Sequence, residues 1–438
     1  KDLLQPRLGF NYSINDDLEL RGGFGLYSGG NPNVWVSNAY SNDGVTQIFA
    51  REFNIPGWDS GTSSVFDLAR VGNGPVVAAP PQALFDYVAN QDTFGSPSFT
   101  VAVDPNFDIP AEWKYALGLT WMAPQEILVQ ADVLYTDKQD APIYLEPARE
   151  VETVLFDGRP VYSGSNQTFL LTNVDGDSGD ALTLSLAATK EFDFGLDVSL
   201  AYAYSDSTDV NPMTSSVAGS NYANFATFDP NNPGPEVSNY NIPHRFTLRL
   251  AYDKEFFAGY STRFTLFGSA SEGRGMSYTY GDDFDDFVGD GRSGGGRQLI
   301  YVPLVDDPNV IYGEDFDLDA FNAFVSSEGL SRGRIMPRNS VNGDWWTKFD
   351  LRVSQEIPGF FRDHRASAFL VIENLGNFLN DDWGVLKQGN FVSESVVDAS
   401  INENGQYVYN TFFGADQREN IQRGASLWEV RVGVNYKF

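Results

Sequence analysis

Cysteine is absent from all 438 residues, so disulfides and thiolate metal sites are excluded. Basic residues are the minority: 29 Lys and Arg stand against 59 Asp and Glu, a net charge of −30. That balance argues against nucleic acid as a partner, because a polyanion needs a basic surface. No apolar run approaches the roughly 18 residues of a membrane helix. With a mean hydropathy of −0.28, hydropathy alone describes a soluble acidic protein. What is abundant says otherwise. Aromatic residues make up 14% of the chain, too many for a disordered polyanion, and they recur in strict alternation.

The chain ends SLWEVRVGVNYKF. Trp428, Val430, Val432, Val434, Tyr436 and Phe438 form one set. Leu427, Glu429, Arg431, Gly433, Asn435 and Lys437 form the other, which is nearly all polar or small. Period two over about ten residues throws side chains to opposite faces and is the signature of a strand. The pattern recurs in EWKYALGLTW, FGLDVSLAYAY, PHRFTLRLAYD and WWTKFDLRVSQEI. Counting such segments predicts eleven strands: 6–12, 18–27, 112–121, 126–136, 179–190, 194–206, 243–253, 260–270, 345–357, 364–375 and 427–438.

Short turns (SINDD, APQE, KEFD, EFFAG, PGFFRDH) alternate with long connections over 28–111, 137–178, 207–242, 271–344 and 376–426. A soluble sandwich or propeller uses strands of about 5–6 residues with turns every 8–12. A transmembrane barrel uses strands of about 9–11 residues, short periplasmic turns and long external loops. Length and loop order both favour the barrel. Trp113 and Trp121 share a face and lie roughly 20 Å apart along the membrane normal at a 40° tilt, the spacing of two aromatic girdles. The expected fold is therefore all-β, a transmembrane antiparallel barrel with its apolar face on lipid and its polar face on a wet lumen. A one-residue slip would turn Glu429, Arg431 and Lys437 toward lipid, so the register is strongly specified. Bacterial single-chain barrels normally close with an even strand number. Eleven strands therefore predict that residues 1–438 are a C-terminal portion, preceded by further barrel. The other reading is a count wrong by one, with GRQLIYVPL or QTFLL as an extra strand.

Three phrases carry a resemblance: RGGFGLYSGGNPNVWVSNAYSNDG (21–44), NIPHRFTLRLAY (241–252) and FLVIENLGNFLNDDWGV (369–385). In this order, with the terminal strand, the chain resembles the TonB-dependent outer-membrane receptors of the Oar-like group. The resemblance implies a barrel of twenty-two strands, of which this chain supplies the second half. It implies an N-terminal plug, absent from this chain, and a TonB-type energy-transducing partner. It also implies that the terminal aromatics Tyr436 and Phe438 are read by the membrane-insertion machinery.

Other candidate chemistry is sparse. Asp175, Asp177 and Asp180 in DGDSGDA have a loop-like spacing of hard oxygen ligands that suits Ca²⁺. The position-12 Glu of an EF-hand is missing, and the plainer reading is a solvated loop tip. GDDFDDFVGD (281–290) and GEDFDLDAF (313–321) are similar acidic loops, able to bridge divalent cations to lipopolysaccharide phosphates. GDGRSGG (289–295) contains GxGxxG, but a strand-like QLIYV follows it where a dinucleotide site needs a helix. His244 and His364 fall at opposite ends of the barrel and cannot share a site. No catalytic residue and no built-in cofactor are expected. The expected function is uptake or handling of a ligand caught by external loops. A passive porin-type channel, or a structural or adhesive barrel binding a surface protein, are the alternatives.

Overall fold

The computed structural model describes residues 4–28, 33–43, 86, 89–90, 100–164, 168–257, 259–281, 284, 287–290, 296–361, 364–390, 393–414 and 420–438. Eleven long strands form one continuous antiparallel sheet in sequence order. They are β1 (Arg7–Asn15), β2 (Leu18–Ser28), β3 (Ala111–Ala123), β4 (Ile127–Gln139), β5 (Asp180–Phe192) and β6 (Leu196–Asp209). β7 (His244–Phe257), β8 (Tyr260–Ser271), β9 (Trp346–Pro358), β10 (Arg365–Glu373) and β11 (Glu429–Lys437) complete it. All eleven expected strands are present. The last begins at Glu429 and not at Leu427, because a turn of helix over Arg423–Ser426 precedes it and Leu427 N donates to Arg423 O at 3.0 Å, the i to i−4 bond of a helix. The two candidate extra strands exist but lie outside the sheet: Tyr301–Val302 pairs with Arg334–Ile335, and Thr168–Asn173 with Thr100–Val103 and Pro142–Leu145.

The register shows why the alternation matters. Residues paired across strands share a face. One ladder row runs Leu196, Tyr252, Phe264 and Val353; another runs Asn11, Arg21, Gly118 and Asp132. Apolar and polar sets therefore stay separate from β1 to β11. The apolar face is not a core: Leu200 is 54% exposed and Val432 79%. Val430 is exposed, and Leu248 is half-buried and belongs to neither buried cluster. Such a face across many strands requires an apolar solvent. Among the described residues no helix is long and apolar enough to cross a membrane; the strands do the crossing.

The buried cores lie in the long connections. One packs Val101, Tyr144, Phe169, Leu171, Ala218 and Tyr222. The other is larger and includes Tyr280, Phe284, Phe321, Phe324, Tyr407 and Tyr409. Its four-stranded sheet takes 278–280 and 310–312 from the β8–β9 connection and 394–401 and 407–412 from the β10–β11 connection. The helix Leu318–Ser327 covers it, capped by Asp317, whose carboxylate accepts from Ala320 N at 2.9 Å.

Candidate functional site

Short hairpins close one end of the sheet, and the folded connections crown the other. By barrel convention the crown is external. It is held by buried arginines. Arg159 is fully buried; it donates through Nη2 to Leu299 O at 2.7 Å and through Nη1 to Gln298 Oε1. Asp157 lies 3.4 Å from the guanidinium and accepts the Tyr407 hydroxyl at 2.7 Å. Burial opposes the charge on Arg159, but the electron-rich environment of Tyr407 and Asp157 holds it protonated. Arg338 ties the crown to the top of β6, donating to Val210 O at 3.0 Å and pairing with Asp209 at 2.7 Å. Burial raises Glu236 above its ordinary range, an effect that Arg338 opposes.

A second hub grows from the phrase ENLGNFLNDDWG. Asn374 is left-handed, with φ of 52°. Its side chain caps the short helix Leu375–Leu379 and donates to Gly384 O at 3.0 Å and Ser426 O at 2.6 Å. Gly384 has φ of +66°, and a Cβ there would stand 2.0 Å from Asn374 Oδ1, so only glycine fits. Asn374 N donates to Asp350 at 2.7 Å and Trp346 Nε1 to Gly384 O at 3.0 Å, which fastens the hub to the top of β9.

Between these anchors, over the tops of β7, β8 and β9, lies a cavity of about 530 Å³. Arg245, Glu272, Arg274, Asp344, Trp346 and Lys387 contribute to its wall, with several amide side chains. Arg245 and Arg274 are exposed and form no ion pair among the described residues. Mixed charge, amides and an aromatic ring suit a polar ligand held by oriented hydrogen bonds. Sequence reasoning put ligand contacts in the loops without choosing residues. The missing information was tertiary: Arg245, Trp346 and Lys387 are 142 positions apart from end to end but meet only because the strand tops are adjacent.

Below the cavity the polar face lines the lumen. Arg21 and Asp132 pair at 2.5 Å across Gly118, whose missing Cβ leaves the room. Arg263 reaches Asp197 at 3.5 Å and Asp253 at 3.6 Å, and Arg431 reaches Glu373 at 2.9 Å. Basic and acidic residues are nearly balanced on this wall, so the chain's negative charge resides mainly in its connections.

Of the expected Ca²⁺ residues Asp175, Asp177 and Asp180, the last two make local hydrogen bonds, while Asp175 is exposed. Asp177 accepts from Gly179 N at 2.9 Å, and Asp180 accepts from Thr208 Oγ1 at 2.9 Å. Among the described residues no group of three or more Asp, Glu or His could hold a metal ion. In 313–321, Asp317 is a helix cap and Phe316 and Phe321 are core. The acidic positions 282, 283, 285 and 286, and Gly291 and Gly294 of the GxGxxG phrase, lie outside the described residues. Tyr436 Oη is 2.7 Å from His364 Nδ1, and Phe438 is 96% exposed at the short-turn end. His244, at the other end, has its Nδ1 2.8 Å from Tyr202 Oη.

Residues 1–378 match the family described as outer membrane beta barrel domain. No curated protein matches the sequence. Among solved structures, the chain is similar to the FrpB iron transporter from Neisseria meningitidis, at 9% identity and a TM-score of 0.42, with 99% of this chain and 39% of that one covered. It is similar to the outer membrane transporter YddB from Escherichia coli, at 11% identity and a TM-score of 0.45, covering 99% and 40%. It is also similar to a ferric enterobactin receptor, PfeA, from Pseudomonas aeruginosa, at 11% identity and a TM-score of 0.36, covering 84% and 36%. The chain thus spans about two fifths of the length of the first two.

Proposed function

The chain belongs to the outer membrane beta barrel domain family, and from that premise we propose that it is the C-terminal half of a TonB-dependent receptor-type transporter barrel. The sequence resemblance to the Oar-like group supports the finer assignment. The observation that carries it is the open sheet: among the described residues β1 and β11 each pair on one side only, while the polar wall between them holds ion pairs. Unpaired strand edges are not tolerated in lipid, so further strands complete the barrel. An N-terminal plug then meets the balanced charges of the lumen wall, and a TonB-type protein supplies the energy that moves it. The cavity over β7–β9 is the place where this half of the barrel contributes to ligand capture.

Conductance tests the reading against a passive channel. The full-length protein in planar bilayers is expected to be closed until the plug is unfolded by a few molar urea. A steady open-pore current from the untreated protein would make it a porin.

A further inference from the structure

The face turned to lipid is almost free of charge, and its exceptions are sorted by sign. At the external end the charged residues on this face are Asp137, Asp180 and Asp206. At the periplasmic end they are Lys190 and Lys254, which share the parity of Leu186 and Phe246. Glu191 and Glu255 fall on lumen parity, and Asp193 occupies a hairpin apex. Around the two lysines the short turns carry phenylalanines. Phe192 and Phe194 stand 5.4 Å apart at one hairpin, Phe256 and Phe257 are exposed at the next, and Phe360 and Phe361 at the third. Phe360 is 90% exposed and packs on Tyr436 at 5.4 Å; Phe361 packs edge-on to His364 at 4.9 Å. Lys190 lies over the Phe192 ring at 5.0 Å. The hairpins β1–β2 and β3–β4 carry no such pairs in their turns, Asp16–Asp17 and Pro124–Glu126.

We propose that the periplasmic rim from β5 to β11 is a docking surface for anionic phospholipid of the inner leaflet, its phosphate headgroups held by Lys190 and Lys254 and its glycerol region by the phenylalanine fringe. A lysine on a lipid-facing position extends its ammonium along the wall toward the headgroup layer, where a phosphate complements it. Exposed rings at the turn tips belong at the same depth, where an aromatic ring is half in hydrocarbon and half in water. A protein partner would need the fringe to leave the bilayer, which the rings' continuity with the lipid-facing strands opposes.

The test uses the full-length protein in vesicles of phosphatidylethanolamine with and without phosphatidylglycerol, extracted and examined by native mass spectrometry. Retention of phosphatidylglycerol over phosphatidylethanolamine is expected, with K190E and K254E each weakening it about fivefold. Equal retention of the two lipids, or selectivity unchanged in both variants, overturns the proposal. A photoreactive phenylalanine analogue at Phe361 in cells keeps the test decisive if either variant fails to fold. Crosslinks of lipid mass are expected, and crosslinks to a polypeptide overturn it.

Discussion

Tyr407 donates its hydroxyl proton to Asp157 at 2.7 Å, joining residues 250 positions apart. The contact closes the β4–β5 connection against the β10–β11 connection, with Arg159 buried between them. The crown is therefore a folded unit and not a set of independent loops.

Removing its central charge should show this. Arg159→Met leaves Asp157 buried without its cation, and breaking a buried pair costs about 3–5 kcal/mol. Hydrogen exchange should accelerate across 278–281, 296–312 and 394–412 while the amides of β5 to β8 keep their protection. Equal loss of protection in both would mean that crown and barrel unfold together.

The crown's tyrosines set its alkaline limit. Burial raises Tyr280, Tyr407 and Tyr409 well above the ordinary phenol range, and pushes Tyr222 up to about 12 against the opposing pull of Arg297. The folded state then holds phenolic protons that the unfolded chain releases near pH 10. Stability is fully present below about pH 10 and falls as pH rises beyond it. Tyrosinate absorbance from these residues should appear together with loss of near-ultraviolet dichroism. Titration before any structural change would contradict their burial.

At the second hub, Gly384→Ala forces a side chain into a left-handed position and against Asn374. The conformational cost alone is about 1–2 kcal/mol, and displaced hydrogen bonds add to it. Asn374→Ala loses the bonds to Gly384 and Ser426. Both variants should loosen 375–390 in hydrogen exchange and should be non-additive when combined, since they break the same contact.

The two faces of β6 make a paired test. Leu200→Arg puts a charge against hydrocarbon at a cost of about 2–4 kcal/mol near the midplane, whereas Ser199→Arg on the lumen face is expected to be tolerated. Heat-modifiable mobility after folding into bilayers should distinguish them. Equal folding yields would mean that Leu200 does not face lipid.

The barrel strands were legible because lipid and lumen impose opposite demands on successive residues, as in Leu196 to Tyr204. The crown was not. Its strands are as short as Tyr301–Val302, too brief to show a period, and aromatic residues such as Tyr280 and Tyr409 read from sequence as loop surface when they are core. The cavity was invisible for the same reason: its wall is assembled from strand tops and three connections. DGDSGDA was legible as a loop, but the local bonds of two of its carboxylates were not: Asp177 accepts from the Gly179 amide and Asp180 from the Thr208 hydroxyl.

The four-stranded sheet of the crown draws parallel partners from two different connections: 278–280 lies beside 394–397, and 310–312 beside 407–409. Neither connection can complete that sheet alone, and their roots stand close because β8, β9, β10 and β11 are successive neighbours in the barrel sheet. The shape of the exposed part of the molecule is therefore tied to the order of the transmembrane strands beneath it: a barrel with those strands misplaced would leave the external sheet without its second contributor.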